Sequence, residues 1–495
     1  MSTEVVLDQV VKNVRVVRPK KQGVEQVDLG IKDGKFARLA PSIDASEARQ
    51  VIDGKNLLAF PGIVDGHMHA GIYHPLAQDA VTESKAAATG GVTTMLTYFR
   101  TGQYYLNQGG AYRDFYPQVL SISEGKYFVD YGYHLAPISR QHIQEMEMLA
   151  TEYGVPSFKI FMFYGSHGLH GRSDKQNEFL MIGPDERYDI AHFEFIMREL
   201  SAVMQRHPEL RDYLSVSLHC ELADILTAYT KLVEAEGKLT GLQAYSAMRP
   251  PHSEGLAVFI AGYLANETNC ANINLLHLSS RKALEAALMM RQVFPHINFK
   301  REVTVGHLLL DVDAPTGNLA KVNPPIRPRP DVEFLWQAVL NGDVDWIVSD
   351  HACCSRELKL DPQHPESIGG AKSGFGGTDW LLSGVFSEGT KRGLSYNRIA
   401  ELLSWNPARR YGLLDKGDIA VGYDADFVLL DPNQSFVVHG ADSPSGQGYT
   451  PFEGQELTGK VKGTYVRGRQ VYDGANIVGQ PQGRYIKRPA GSKKE

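Results

Sequence analysis

Short runs rich in valine and isoleucine, broken by turn residues, fill the first sixty positions: "VVLDQVVKNVRVV", "VDLGIKDGKFARLA" and "QVIDGKNLLAF". Their spacing predicts antiparallel strands. "KDGK" at 32–35 predicts a tight hairpin, because Asp-Gly tolerates the left-handed backbone that such a turn needs. From Pro61 the period changes. Short apolar runs ("VTTMLTY", "FVDYGYHLA", "SFKIFM", "LSVSLH", "INLLHLS", "DWIVSDHA") now alternate with longer stretches of helical period, such as "RYDIAHFEFIMRELSAVMQRH" and "RKALEAALMMRQVF". Strand followed by helix, repeated over about 350 residues, predicts a parallel sheet, and a strand count near eight predicts an α/β fold closed as a (β/α)8 TIM barrel over residues 61–414. After Leu414 the strand pattern returns in "GDIAVGYDADFVLLDP" and "GKVKGTYVRGRQVYDG". Residues 1–60 and 415–495 are therefore expected to combine into one small β-sandwich domain packed on the barrel, ending in the polar, basic tail "KRPAGSKKE", expected to be solvated.

Composition changes this picture little but excludes several roles. At 495 residues the chain can bury a large core, and 51 basic against 57 acidic residues give a net charge of -6, so nothing electrostatic favours nucleic acid or an anionic membrane as a partner. No run approaches the roughly 20 apolar residues of a membrane span, and the opening "MSTEVVLDQV" lacks a basic segment leading into an apolar one; a cytoplasmic protein is expected. The four cysteines, Cys220, Cys270, Cys353 and Cys354, form no spaced pairs, which argues for reduced thiols and against a cysteine-based zinc site.

The chemistry resides at predicted strand ends. "PGIVDGHMHAGIYH" places His67 and His69 two residues apart, which is weak alone, since strand alternation puts both on one face with or without a metal. In a barrel of this kind the site lies at the C-terminal ends of the strands, and there the other ligand types recur: Lys159 in "SFKIFM", His219 ending "LSVSLH", His277 ending "NLLH" and Asp350 ending "DWIVSD". No G-x-S-x-G elbow supports a serine nucleophile. An ammonium cannot ligate a cation. Flanked by Phe158, Ile160 and Phe161, however, Lys159 is expected to lose its charge by desolvation, which frees the amine to react with CO2. The resulting carbamate has two oxygens and could bridge two metals, which accounts for six ligand-type residues where one catalytic zinc uses about three.

His67-x-His69, Lys159, His219, His277 and "SDHA" at Asp350, together with "WNPARRYGL" and "DADFVLLDP", resemble the binuclear amidohydrolase superfamily along nearly the whole chain. Within it, "SFKIFMFY" is similar to the hydantoinase and dihydropyrimidinase group. The resemblance implies a cyclic amide substrate (a hydantoin, dihydropyrimidine or related ureide or imide) and attack by a hydroxide bridging two divalent cations, most simply Zn²⁺. It places His67, His69 and Asp350 on the more buried cation and His219 and His277 on the other, with carboxylated Lys159 spanning both. It also implies Asp350 as the proton carrier, Tyr164 as the oxyanion donor, Ser279, Asn323 and Phe375 as further substrate contacts, Ser279 and His351 as partners of the metal-bound imidazoles, and a homotetramer. The loop "YFRTGQYYLNQGGAYRDFY" is expected to border the pocket through Tyr98, Phe99, Tyr104 and Tyr105.

"EVTVGHLLL" and "KVNPPIRP" look as much like allantoinases and dihydroorotases, so an allantoinase- or dihydroorotase-like enzyme is the alternative. Dihydroorotases carry an arginine two residues after the second histidine, where this chain has Gly71; Arg100 is read as a solvated loop residue that could substitute for it. A catalytically inactive dihydropyrimidinase-like scaffold is the alternative of another class.

Overall fold

The computed structural model describes residues 7–164, 167–171 and 175–492. Seven strands form one mixed sheet: β1 (Leu7–Val17), β2 (Val24–Lys32), β3 (Lys35–Ala40), β4 (Ala48–Pro61) and, from the other end of the chain, β13 (Phe427–Val437), β14 (Glu456–Val466) and β15 (Arg469–Tyr472), in the order β15-β14-β13-β4-β1-β2-β3. The β2–β3 hairpin is the "KDGK" turn, with Asp33 at φ 53° and Gly34 at φ 75°, the two left-handed residues that a two-residue turn requires. Antiparallel pairing of β13 with β4 joins the two chain ends. Edge strand β3 folds back over the opposite side, with Phe36 N–H donating to the Tyr423 carbonyl at 2.9 Å and the Phe36 ring 6.2 Å from that of Phe427. The sheet thus encloses its own core of Val11, Val14, Leu29, Ile31, Phe427 and Leu429.

Eight parallel strands form the second sheet: β5 (Ile63–Met68), β6 (Val92–Phe99), β7 (Asp130–Leu135), β8 (Ser157–Phe161), β9 (Ser215–His219), β10 (Asn272–Leu275), β11 (Asn298–Thr304) and β12 (Trp346–Val348). Met68 bridges His351, and His69 N–H donates to the His351 carbonyl at 2.7 Å, so the last strand returns to the first and the barrel closes. Nearly every strand residue is buried, as expected where helices cover the outside and side chains fill the inside. The helical stretches read from the sequence are the helices Ile190–Arg206, capped by Asp189 accepting from His192 N–H, and Arg281–Val293, capped by Ser280 accepting from Ala283 N–H.

The two sheets are joined by a buried charge cluster. Lys416 Nζ lies 2.8 Å from Asp130 at the start of β7, 2.5 Å from Asp426 and 3.2 Å from Asp424, and Arg467 pairs with the same Asp130. Burial pushes the Lys416 ammonium toward neutrality, but the three carboxylates more than reverse this and hold it charged.

The tail departs from expectation. Ile486 N–H donates to the Tyr131 carbonyl, Arg488 N–H to Gly154 and Ala490 N–H to Gly412, while Arg488 is buried and donates to the Tyr133 carbonyl. Backbone pairing with the barrel outweighs the tail's polarity, and only residues 493–495 lie outside the described residues.

Removing Lys416 leaves buried Asp426 without its cation, while Asp130 keeps Arg467 and Asp424 keeps Lys35. Lys416→Met should lower the free energy of unfolding by about 3–5 kcal/mol, read as a lower urea midpoint. An unchanged midpoint would show that the cluster does not hold the two sheets together.

Candidate metal centre

His67 ends inside β5, Lys159 lies in β8 and His219 closes β9, while His277 and Asp350 follow β10 and β12 by two residues. The last two hold positive φ (34° and 54°), a backbone state that a non-glycine residue keeps only when its surroundings impose it; here it directs both side chains into the barrel mouth.

The donor atoms converge. Around His67 Nε2 lie Lys159 Nζ at 3.1 Å, Asp350 Oδ1 at 3.2 Å and His69 Nε2 at 3.3 Å, and His69 Nε2 is itself 3.3 Å from Asp350 Oδ1. The His277 ring centroid is 5.4 Å from that of His67 and 4.3 Å from that of His219. Ligand atoms of His67, His277 and Asp350 all fall within 4.8 Å of one another.

Outer partners fix which nitrogen of each ring faces inward. Glu302 in β11 accepts from His67 Nδ1–H at 2.8 Å, from His277 N–H at 3.1 Å and from the Trp346 indole at 2.8 Å. Tyr105 Oη is 3.1 Å from His69 Nδ1, and Glu221 Oε2 is 2.6 Å from His219 Nε2 and is held in turn by Arg249. Two imidazoles turn their Nε2 atoms toward the same carboxylate oxygen, and among the described residues His277 Nδ1 is buried without a hydrogen-bond partner. This convergent donor set of nitrogen and oxygen atoms fits divalent metal ions. Electrostatics agree: burial holds His67, His69 and His277 far below the usual imidazole range and His219 at about 4, keeping all four neutral. Burial also brings Lys159 down to about 8 against the pull of Asp350 and Glu302, so about one amine in ten is uncharged at pH 7, far more than for an exposed lysine.

A cavity of about 40 Å³ sits above these groups, lined among others by His69, Tyr105, Lys159, Phe163, Asn323 and Ser373. Ligand pockets usually measure about 300–1,000 Å³, so covering residues must move to admit a ring. Asn323 lies in the lining, its Oδ1 accepting from the Tyr245 hydroxyl at 2.5 Å. Tyr164, Ser279 and Phe375 lie outside it. Tyr164 stacks on Phe161 at 4.8 Å, Ser279 donates to Glu254 at 2.6 Å, and Phe375 packs edge-on against Phe452. Of the aromatic loop, Tyr105 reaches the cavity, whereas Tyr98 is inside the barrel with its hydroxyl donating to Ser217 at 2.8 Å.

The imidazole partners are Glu302, Tyr105 and Glu221 rather than Ser279 and His351; His351 Nε2 instead meets Glu83 at 2.7 Å. An acid two positions after a strand-end histidine, as in "HCE", and an acid opening the apolar run "EVTV" were the available signals. Arg100 is also not solvated. It is fully buried among the rings of Tyr105 (4.9 Å), Tyr164 (5.5 Å) and Phe179 (4.6 Å); its Nη1 donates to the Thr101 carbonyl at 2.8 Å, and its Nε and Nη2 have no hydrogen-bond partner among the described residues. Gly71, at φ 83°, would bring a Cβ to 3.1 Å from that of Leu76, so a side chain there meets both backbone strain and a tight contact.

Residues 208–471 match the family model described as "Amidohydrolase family". The chain is 30% identical to an allantoinase of Rubrobacter xylanophilus over 492 residues, covering 99% of both chains. Among solved structures it is similar to the dihydropyrimidinase from Brevibacillus agri (TM-score 0.82, 26% identity, covering 98% of this chain and 100% of that one). It is also similar to the L-hydantoinase (dihydropyrimidinase) from Arthrobacter aurescens (TM-score 0.83, 25% identity, covering 98% and 100%). The closed barrel, its appended mixed sheet, the family match over more than half the chain and full-length similarity to these enzymes lead to one conclusion: the chain belongs to the amidohydrolase family and is one of its cyclic amidohydrolases.

Proposed function

We propose that the enzyme opens a hydantoin-type ring, with allantoin, itself a ureido-substituted hydantoin, among the candidates, and that it does so on two divalent cations, Zn²⁺ by preference. The observation that carries this reading is the convergence of His67, His69 and Asp350 within 3.3 Å beside Lys159, with His219 and His277 alongside. His67, His69 and Asp350 would hold one cation and His219 and His277 the other, with Lys159, as a carbamate, reaching both. Such a pair supplies a water acidified to a pKa of about 7 and polarises the substrate carbonyl.

The protein's own groups do the rest. Asp350 Oδ1, between the two Nε2 atoms, accepts the proton of the attacking water and returns it to the leaving ring nitrogen. Glu302 and Glu221 keep the imidazoles in the tautomers that ligate. Tyr105, on the cavity wall with its oxygen near His69 Nδ1, is placed to donate its hydroxyl proton toward the substrate; Tyr164 would have to swing in past Phe161 and Phe163 to share that task. The products are a carboxylate and a ring-opened ureide. A soluble cytoplasmic setting fits the lack, among the described residues, of any helix long and apolar enough to cross a membrane.

One observation favours a second reading, a ring carrying its own carboxylate. Arg100 is a buried cation whose Nε and Nη2 are unsatisfied, and a buried unpaired charge costs several kcal/mol. A tetramer is expected by family resemblance. The helices Ile190–Arg206, Pro251–Thr268 and Arg281–Val293 expose Phe195, Leu256, Tyr263 and Val293 on adjoining faces, which a second copy would cover.

Lys159→Ala should abolish ring opening together with most bound metal, whereas Asp350→Asn should lose about 10²–10⁴-fold in kcat while retaining more of the metal, as measured by hydrolysis assays paired with metal analysis. Full activity with two metals in Lys159→Ala would exclude the carbamate. In assays of hydantoin, allantoin, dihydrouracil and dihydroorotate, Arg100→Met should cost at least tenfold in kcat/KM on the carboxylated ring and little on neutral ones if the second reading holds; equal loss on all would sink it. Light scattering should report an oligomer that Tyr263→Asp weakens, and a monomeric native protein would remove the tetramer.

A further inference from the structure

A second convergence of ligating atoms lies beneath the loops that carry His69 and Asp350. His74 Nδ1 is 3.4 Å from Asp79 Oδ1 and 3.5 Å from Cys353 Sγ, and the three atoms lie within 4.8 Å of one another. Asp79 and Cys353 are buried. The two oxygens of Asp79 fare differently: Oδ2 accepts from Gly71 N–H at 2.7 Å, whereas buried Oδ1 has, among the described residues, only the long 3.4 Å ion pair with His74.

The spacing is informative. An N–H···O bond closes to about 2.7–3.2 Å, so the 3.4 Å between His74 and Asp79 is slack for a hydrogen bond, although nothing else satisfies Oδ1. Tetrahedral bonds of about 2.0–2.1 Å to nitrogen and oxygen and about 2.3 Å to sulfur put nitrogen about 3.4 Å from oxygen and about 3.6 Å from sulfur. The observed separations are close to those two edges. Glu83, the nearest other acid, is already engaged: Oε1 accepts from Gly446 N–H at 3.0 Å and from the Thr82 hydroxyl at 2.6 Å, and Oε2 lies on His351 and Ser445. The fourth position thus falls to solvent, which reaches His74 through a surface cavity of about 460 Å³ lined by Gly71, Tyr73, Leu76, Tyr104 and Leu106.

We propose that His74, Asp79 and Cys353 form a third cation site, distinct from the barrel-mouth centre and suited to Zn²⁺ or another thiophilic divalent ion. Thiolate and carboxylate together carry two negative charges, which the ion neutralises in a buried place, and binding releases the thiol proton to solvent. Gly71, bonded to Asp79, is two residues beyond His69, and Cys353 is three beyond Asp350. An ion here would therefore add a second tie between the two loops that carry His69 and Asp350, beneath the backbone bond from His69 N–H to the His351 carbonyl.

Sulfur makes the site separately visible, because no barrel-mouth ligand is a thiol. The test loads the metal-free, full-length protein with Co²⁺ under reducing conditions and reads the near-ultraviolet thiolate-to-cobalt charge-transfer band along with cobalt per chain. The native protein should show the band at saturation. Cys353→Ser should abolish it and lower bound cobalt by one per chain, His74→Ala should weaken cobalt binding at this site at least tenfold, and Cys354→Ser should leave the band in place. Absence of the band from the native protein, its survival in Cys353→Ser, or an unchanged affinity in His74→Ala would overturn the proposal. The band reports only the thiol site, so it appears or fails independently of whether the barrel-mouth pair loads.

Discussion

Two imidazole nitrogens and a carboxylate oxygen lie within 3.3 Å of one another in a buried barrel mouth, a crowding of donor atoms that positive charge placed among them stabilises. Most of the surrounding structure can be read as the means of holding that arrangement. Parallel strands bring His67, Lys159 and His219 to one end of the barrel, and left-handed backbone at His277 and Asp350 turns two further ligand-type side chains inward after their strands have ended. Burial keeps the imidazoles neutral and the lysine partly so, which is the state in which each can ligate or react.

The layer behind the ligands is as specific as the ligands themselves. Glu302 touches His67, His277 and Trp346, so one carboxylate couples β5, β10, β11 and β12. Glu221 does the same for His219, with Arg249 neutralising it. The two acids differ in charge: burial lifts Glu302 to about 8 despite its donors, whereas Arg249 and His219 hold buried Glu221 ionised, at about 2. On the opposite side of the barrel, the Lys416 cluster fixes the appended sheet to the start of β7.

Much of this was legible in the sequence because period is a strong signal. Alternating short strands and helices imply a barrel, and a barrel gives ligand-type residues at strand ends a common destination; His67, His69, Lys159, His219, His277 and Asp350 were readable for that reason. What escaped depends on long-range contact. Glu302 and Glu221 carry only weak local marks, an acid opening "EVTV" and one two positions after His219, and long-range contact is what makes them histidine partners. Arg100 reads as a polar loop residue, and only the fold shows it enclosed by three aromatic rings. Tyr164, Ser279 and Phe375 sit beside motifs whose family role concerns substrate, yet their side chains here turn to Phe161, Glu254 and Phe452. The basic tail reads as solvated, and its backbone pairing with residues as distant as Tyr131 cannot be inferred from composition.

The most direct test of the central arrangement is anomalous diffraction at the metal edge from crystals of active enzyme. Two ions at the barrel mouth, bridged by a carboxylated Lys159 and ringed by the four histidines and Asp350, are the expected result. An unmodified Lys159 amine in fully active crystals, or ions bound away from these six side chains, would contradict it.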